Sequence, residues 1–199
     1  MKLIVKKNKY KELVRRAFDE HTSVIKETFV NTEGNIKKAA DMIAKSLVSK
    51  GTIFWCGNGG SAADSQHIAA EFVGRFKKDR QPLRSIALTT DTSVLTCIAN
   101  DYSYEEIFSR QLNALGGKND VLVAITTSGE SENIRRALIQ ARKMGIKTIG
   151  LLGKKGGTCK DYLDIPLIVP SDTTARIQEA HILIEHLLCE LVENKLGLD

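Results

Sequence analysis

From Gly51 onward, short apolar runs alternate with stretches of helical periodicity, and this alternation constrains the fold more than any other feature of the chain. The runs occupy residues 52–56, 85–89, 121–126, 148–152 and 165–169. Each is too short for a buried helix, and each is followed within a few residues by Gly, Ser, Thr, Asn or Asp. Strands of this kind, joined through helices, pair into a parallel sheet covered on both faces. The expected architecture is therefore a doubly wound, three-layer α/β domain around a five-stranded parallel sheet. Residues 173–195 read as a closing helix with Ile177, Ile184, Leu187, Leu188 and Leu191 on one stripe.

The first fifty residues differ. Leu13, Val14 and Phe18, then Ile36, Ala39, Ala40, Ile43 and Leu47, recur at three- and four-residue intervals, which predicts a pair of amphipathic helices. Asn31, Thr32, Glu33 and Gly34 between them read as a turn. The organisation expected is a helical oligomerisation arm over 1–50 and a single sheet domain over 51–199, in keeping with a length of 199 residues. An amphipathic pair on so small a domain needs a partner for its stripe, so the arm is expected to pack against other copies. The basic run Lys2, Lys6, Lys7, Lys9, Lys11, Arg15 and Arg16 reads as a solvated helix face rather than a surface for a macromolecular partner.

Composition excludes several classes. With 42% apolar and 27% charged residues the chain is an ordinary folding sequence. No apolar run approaches the about eighteen residues of a membrane span, and the N-terminus lacks a secretory h-region, so a cytosolic protein without membrane contact is expected. The net charge of +5 is modest and does not require a nucleic-acid partner. Cys56, Cys97, Cys159 and Cys189 form no CxxC pair, and read as free thiols in apolar surroundings.

Doubly wound sheets bind ligands beyond the carboxyl ends of their strands, so the loops there carry the functional argument. Gly57-Asn58-Gly59-Gly60-Ser61-Ala62 follows the first strand and opens a helix. Its glycines permit a sharp turn and close backbone approach to a ligand, and Ser61 stands where it could cap the helix. Gly57, Gly59 and Ala62 also fit a permissive dinucleotide fingerprint, but Asp91 lies too far along to serve as its acidic partner. No Walker lysine follows, and no nucleotide cofactor is expected. A second loop, residues 126–133, places Thr126, Thr127, Ser128 and Ser131 at another helix start. One N-cap needs one hydroxyl, and this surplus suits a phosphate at the positive end of a helix.

His67 and Glu71, four apart on the helix after the first loop, project from one face. Gln178 and His186, eight apart on the last helix, can share a cavity with them, although spacing leaves His181 as a competitor to His186. A carboxylate with histidines serves as an acid/base pair or as metal ligands.

Taken in order, residues 57–71 (GNGGSAADSQHIAAE), Ala99-Asn100-Asp101, Thr127-Ser128-Gly129-Glu130-Ser131 and Arg176-Ile177-Gln178-Glu179 closely resemble the phosphoheptose isomerases of the sugar isomerase (SIS) family. The resemblance covers nearly the whole chain. It implies a homotetramer that interconverts sedoheptulose 7-phosphate and D-glycero-D-manno-heptose 7-phosphate at the start of heptose supply for bacterial surface polysaccharide. By motif it assigns Glu71 as base and His186 as its acid/base partner. It assigns Asn58, Gly59, Gly60, Ser61, Glu71, Asn100, Asp101, Thr126, Thr127, Ser128, Ser131 and Gln178 to the sugar phosphate. It further implies zinc held by His67, Glu71, Gln178 and His186. Thr126 replaces the serine usual in the family and keeps the hydroxyl. The same family holds non-catalytic relatives that bind a sugar phosphate or a protein such as the replication initiator, but a scaffold has no chemical need for Glu71, Gln178 and His186.

Overall fold

The five apolar runs become five parallel strands. The computed structural model describes residues 7–198, with β1 (Ile53–Gly57), β2 (Ser85–Ala87), β3 (Val121–Thr126), β4 (Lys147–Gly153) and β5 (Ile165–Val169) in the order β2-β1-β3-β4-β5. All pairings are parallel. Side chains alternate across the sheet into two cores. Ile53, Trp55, Val121, Val123, Ile125, Ile149 and Leu151 face the layer of α1 (Lys7–Val48), α2 (Gly60–Val73) and α6 (Thr174–Lys195). Phe54, Cys56, Leu122, Ala124 and Leu152 face the layer of α3 (Thr92–Asp101), α4 (Ser109–Leu115) and α5 (Glu132–Met144).

β2 is shorter than expected, ending at Ala87 rather than residue 89. The chain must turn there into α3, whose first turn is capped by the Asp91 carboxylate accepting from Val94 N at 3.0 Å. A short edge strand also offers little unpaired backbone to other chains.

The turn expected at 31–34 does not form, and α1 is one continuous helix of 42 residues. Thr32 satisfies its hydroxyl within the helix by donating to Thr28 O at 2.6 Å, and Lys37 pairs with Glu33 a turn away. No proline interrupts the ladder, and a lone glycine costs a helix only about 1 kcal/mol, which packing on either side outweighs. The two halves of α1 differ in burial. Ile36, Ala39, Ala40 and Ile43 belong to the core, whereas Leu13, Val14 and Phe18 remain exposed. Of the basic run, Lys2 and Lys6 lie outside the described residues, and Lys9, Lys11, Arg15 and Arg16 lie on the exposed helix surface. No helix among the described residues is long and apolar enough to cross a membrane.

Three of the four cysteines are buried as expected, but Cys97 is exposed, because α3 turns only Ile98 fully inward. With β2 on one side of β1 and β3 on the other, the strand order reverses between β1 and β3. This opens a crevice at their carboxyl ends, and both glycine- and hydroxyl-rich loops leave from it.

Candidate active site

The two loops meet across the crevice through a reciprocal amide pair. Asn58 Nδ2 donates to Asn133 Oδ1 at 2.9 Å, and Asn133 Nδ2 donates to Asn58 Oδ1 at 2.8 Å. Tyr104, on a 3-10 turn at Tyr104–Glu106, reaches over to donate its hydroxyl to the same Asn58 oxygen at 3.0 Å. Neither Asn133 nor Tyr104 was singled out by sequence. Asn133 follows the hydroxyl cluster and was open to notice, but nothing in the local pattern marks Tyr104.

The glycines of the first loop have distinct duties. A Cβ on Gly57 would collide with the backbone of Ser61, and one on Gly60 with Nε2 of Gln178, so Gly60 lets α6 approach the start of α2. Gly59 occupies the N-cap position at φ 56°, a left-handed conformation that suits glycine. Ser61 does not cap. It lies buried inside the first turn, its N–H directed to Asn58 O at 3.0 Å, because the tight turn at Gly59 and Gly60 starts the helix before it. With no side-chain cap, the positive end of α2 opens on the crevice.

The second loop is a cluster of hydroxyls. Thr126 Oγ1 lies 3.1 Å from Ser131 Oγ and 3.3 Å from Ser128 Oγ, and Gly129 N donates to Thr126 Oγ1 at 3.3 Å. Ser131 holds the N-cap position of α5, yet its side chain makes no capping bond and turns toward Thr126. Ile134 N in the first turn is taken by Asn133 Oδ1 at 2.9 Å, while the hydroxyls and the other N–H groups of the helix start are of the kind that can receive an anion. Glu132 in the first turn does not prevent this, since bonds from Arg135 and Arg136 hold its carboxyl down at about 2 and offset its charge. The loop is braced from below. Gly129 (φ 71°) packs against the backbone of Gly156 and Gly157, and Glu130 accepts from both N–H and hydroxyl of Thr158.

The acid–base candidates gather on α2 and α6. His67 Nε2 lies 3.2 Å from Glu71 Oε1, and the His67 and His186 rings sit edge to face with centroids 5.2 Å apart. His186 also stacks on Phe76 at 5.5 Å. His181 is thereby separated from His186: it is fully buried, donates from Nε2 to Leu152 O at 3.2 Å, and burial lowers its pKa to about 4. Gln178 stands apart from this cluster, against Gly60. Along α2, Glu71 lies roughly 16 Å from Gly60 at about 1.5 Å rise per residue, so within one chain the acid–base candidates stand well away from the first loop.

Asn100 and Asp101 lie exposed at the end of α3. Asn100 Nδ2 donates to Asp101 Oδ1 at 2.8 Å and the Cys97 thiol to Asp101 Oδ2 at 3.5 Å. For a metal, His67, Glu71 and His186 are donors of the kind zinc takes. Among the described residues, however, no three His, Cys, Asp or Glu side chains are placed to hold a metal ion as they stand.

This fold and crevice are those of sugar-phosphate isomerase domains. Residues 18–153 match the SIS domain model, and the chain belongs to the SIS family. It is 48% identical over 182 residues to the phosphoheptose isomerase of Helicobacter pylori strain P12, covering 92% of this chain and 95% of that one. To the phosphoheptose isomerase of Clostridium acetobutylicum it is 55% identical over 161 residues, 81% and 82% of the two chains. The solved structure of the phosphoheptose isomerase GmhA from Neisseria gonorrhoeae superposes with a TM-score of 0.89 at 41% identity, over 93% of this chain and 99% of that one.

Proposed function

We propose that the chain is an aldose–ketose isomerase that converts D-sedoheptulose 7-phosphate to D-glycero-D-manno-heptose 7-phosphate. The observation that carries this reading is an anion cradle and a carboxylate–imidazole cluster on one SIS scaffold. Near full-length identity to relatives named phosphoheptose isomerase supports it.

The phosphate rests among Thr126, Thr127, Ser128 and Ser131 at the start of α5. Asn58, Gly59, Gly60, Ser61 and Gln178, with Asn100 and Asp101, hold the sugar. Binding at the remote phosphate positions the reacting end. Glu71 removes the proton from C1 of the ketose, giving a cis-enediol, and returns a proton at C2. His186 moves the second proton between O1 and O2, so that no net oxidant or reductant is needed. Zinc, where bound, would polarise the carbonyl. His67, Glu71, His186 and Gln178 would hold it, and Glu71 and His186 would not then be free as base and acid.

The protein acts as a homotetramer in the cytoplasm, at the entry to heptose supply for surface polysaccharide. Exposed Leu13, Val14 and Phe18 support the assembly. So does an apolar hollow of about 490 Å³ between α1 and α6, lined by Phe29, Val30, Leu183 and Leu187. Free cysteines suit a reducing compartment.

Glu71→Gln tests the assignment. Turnover of sedoheptulose 7-phosphate should fall about 10²–10⁴-fold, the span of general acid–base contributions. Binding, followed as a thermal shift with the sugar phosphate, should survive. Turnover near wild type would mean that another group is the base.

A further inference from the structure

Arg80 lies on the irregular segment that leaves α2, and it meets Glu193 of α6 in an enclosed ion pair, Nε to Oε1 2.9 Å, with side chains 4% and 3% exposed. Its remaining N–H groups finish α2. Nη2 donates to Glu71 O at 2.8 Å, and Nη1 to Phe72 O at 2.7 Å and to Gly74 O and Gln81 O at 3.2 Å. A helix end leaves such carbonyls without partners, and a cation there suits the dipole. Glu193 turns its other bonding capacity to the same segment, accepting from Phe76 N at 3.2 Å and Lys77 N at 3.4 Å. Phe76 belongs to no helix or strand, and its ring is the one on which His186 stacks.

We infer that the Arg80–Glu193 pair is a positioning device for the acid–base cluster: Arg80 sets the end of α2 that carries Glu71, and Glu193 sets the Phe76 ring that orients His186. This rests on the isomerase reading above. A buried ion pair is a poor means of stabilising a fold, since apolar groups of the same volume commonly do as well. Its directional bonds to both helices and the segment between them instead fix geometry. The fork of an arginine is required, because a lysine cannot serve acceptors spread over one plane. Proton transfer demands heavy atoms within hydrogen-bond reach, and small displacements of the groups that move the proton cost rate rather than affinity. The cradle that holds the phosphate lies on β3 and α5, away from the pair, and binding should be spared.

The test compares steady-state kinetics of wild type, Arg80→Lys, Arg80→Met and Glu193→Gln on sedoheptulose 7-phosphate. Ile165→Val, at the far end of β5, serves as the control for general loss of stability. The pair of helix ends should lose alignment in each site variant, so kcat falls about ten- to hundredfold while KM stays within about twofold, and Arg80→Lys retains more than Arg80→Met. If the Arg80 variants do not fold, Glu193→Gln decides alone. A kcat matching the Ile165→Val control, or a rise in KM at unchanged kcat, overturns the proposal. Wild type inert on the sugar phosphate overturns the isomerase reading and the proposal with it. Active wild type with unaffected variants overturns only the pair's role.

Discussion

Glu185 and His181, one turn apart on α6, are fully buried, and both Glu185 oxygens and His181 Nδ1 lack partners. Burial, with the negative charge of Asp64 facing it, raises the Glu185 pKa from 4.5 to about 8. Folded Glu185 thus keeps a proton that the unfolded chain releases, and its contribution to stability is lost as pH rises from 4.5 through about 8. His181, lowered from 6.5 to about 4, acts in the opposite sense: the unfolded chain takes up a proton first, so stability falls as pH drops through that window. In chelator-treated protein, thermal melts of Glu185→Gln should lose the decline of wild type as pH rises towards about 8, and those of His181→Gln the decline as pH falls towards about 4. Curves parallel to wild type would show that neither group is buried in its ionisable form. These two residues also mark what the sequence left open. Spacing alone allowed His181 or His186 at the cluster, and only the rotation of α6 against the sheet, which turns His181 to Leu152 O, separates them. The surplus of hydroxyls in 126–131 was legible because capping needs so few, whereas Arg80 and Phe76 sit in an irregular segment and Tyr104 on a 3-10 turn too short to show a period.

The strands were legible as elements because each is a short apolar run bounded by turn residues, and β1, β3, β4 and β5 lie within a residue or so of the expected limits at each end. The continuity of α1 was not, since Asn31, Thr32 and Gly34 are turn formers locally and are overruled by packing on β5 and α6. Gly34 is exposed, and a Cβ there meets nothing within 4 Å. Gly34→Ala should therefore stabilise the protein by about 0.5–1 kcal/mol in urea titrations. Destabilisation would mean that another chain occupies the space beside it. The N-terminal half of α1 is tied down through polar contacts at the start of α6: Arg176 donates to Ala17 O at 2.8 Å, and His21 Nδ1 lies 2.7 Å from a Glu179 oxygen. Val24 and Ile25 pack against the core, but Leu13, Val14 and Phe18 find no cover within one chain.

At the scale of the molecule, alternating strands and helices were enough to expect a doubly wound sheet, and its reversal between β1 and β3 brings the two loops together. The meeting of Asn58 with Asn133 required the fold itself. The exposed stripe of α1 and the hollow against α6 call for a partner surface; the homotetramer proposed above predicts four chains per particle by light scattering, and a monomer mass would leave those surfaces unexplained. The central claim is proton transfer between adjacent carbons of a seven-carbon sugar phosphate. The most direct measurement is NMR of sedoheptulose 7-phosphate mixed with the protein in D₂O, before and after a chelator. The account predicts a new aldose signal carrying deuterium at C2, with loss of that signal after chelation only if a metal is required for the step. Unchanged substrate under both conditions, from folded protein, would contradict it and leave a module that binds a sugar phosphate without transforming it.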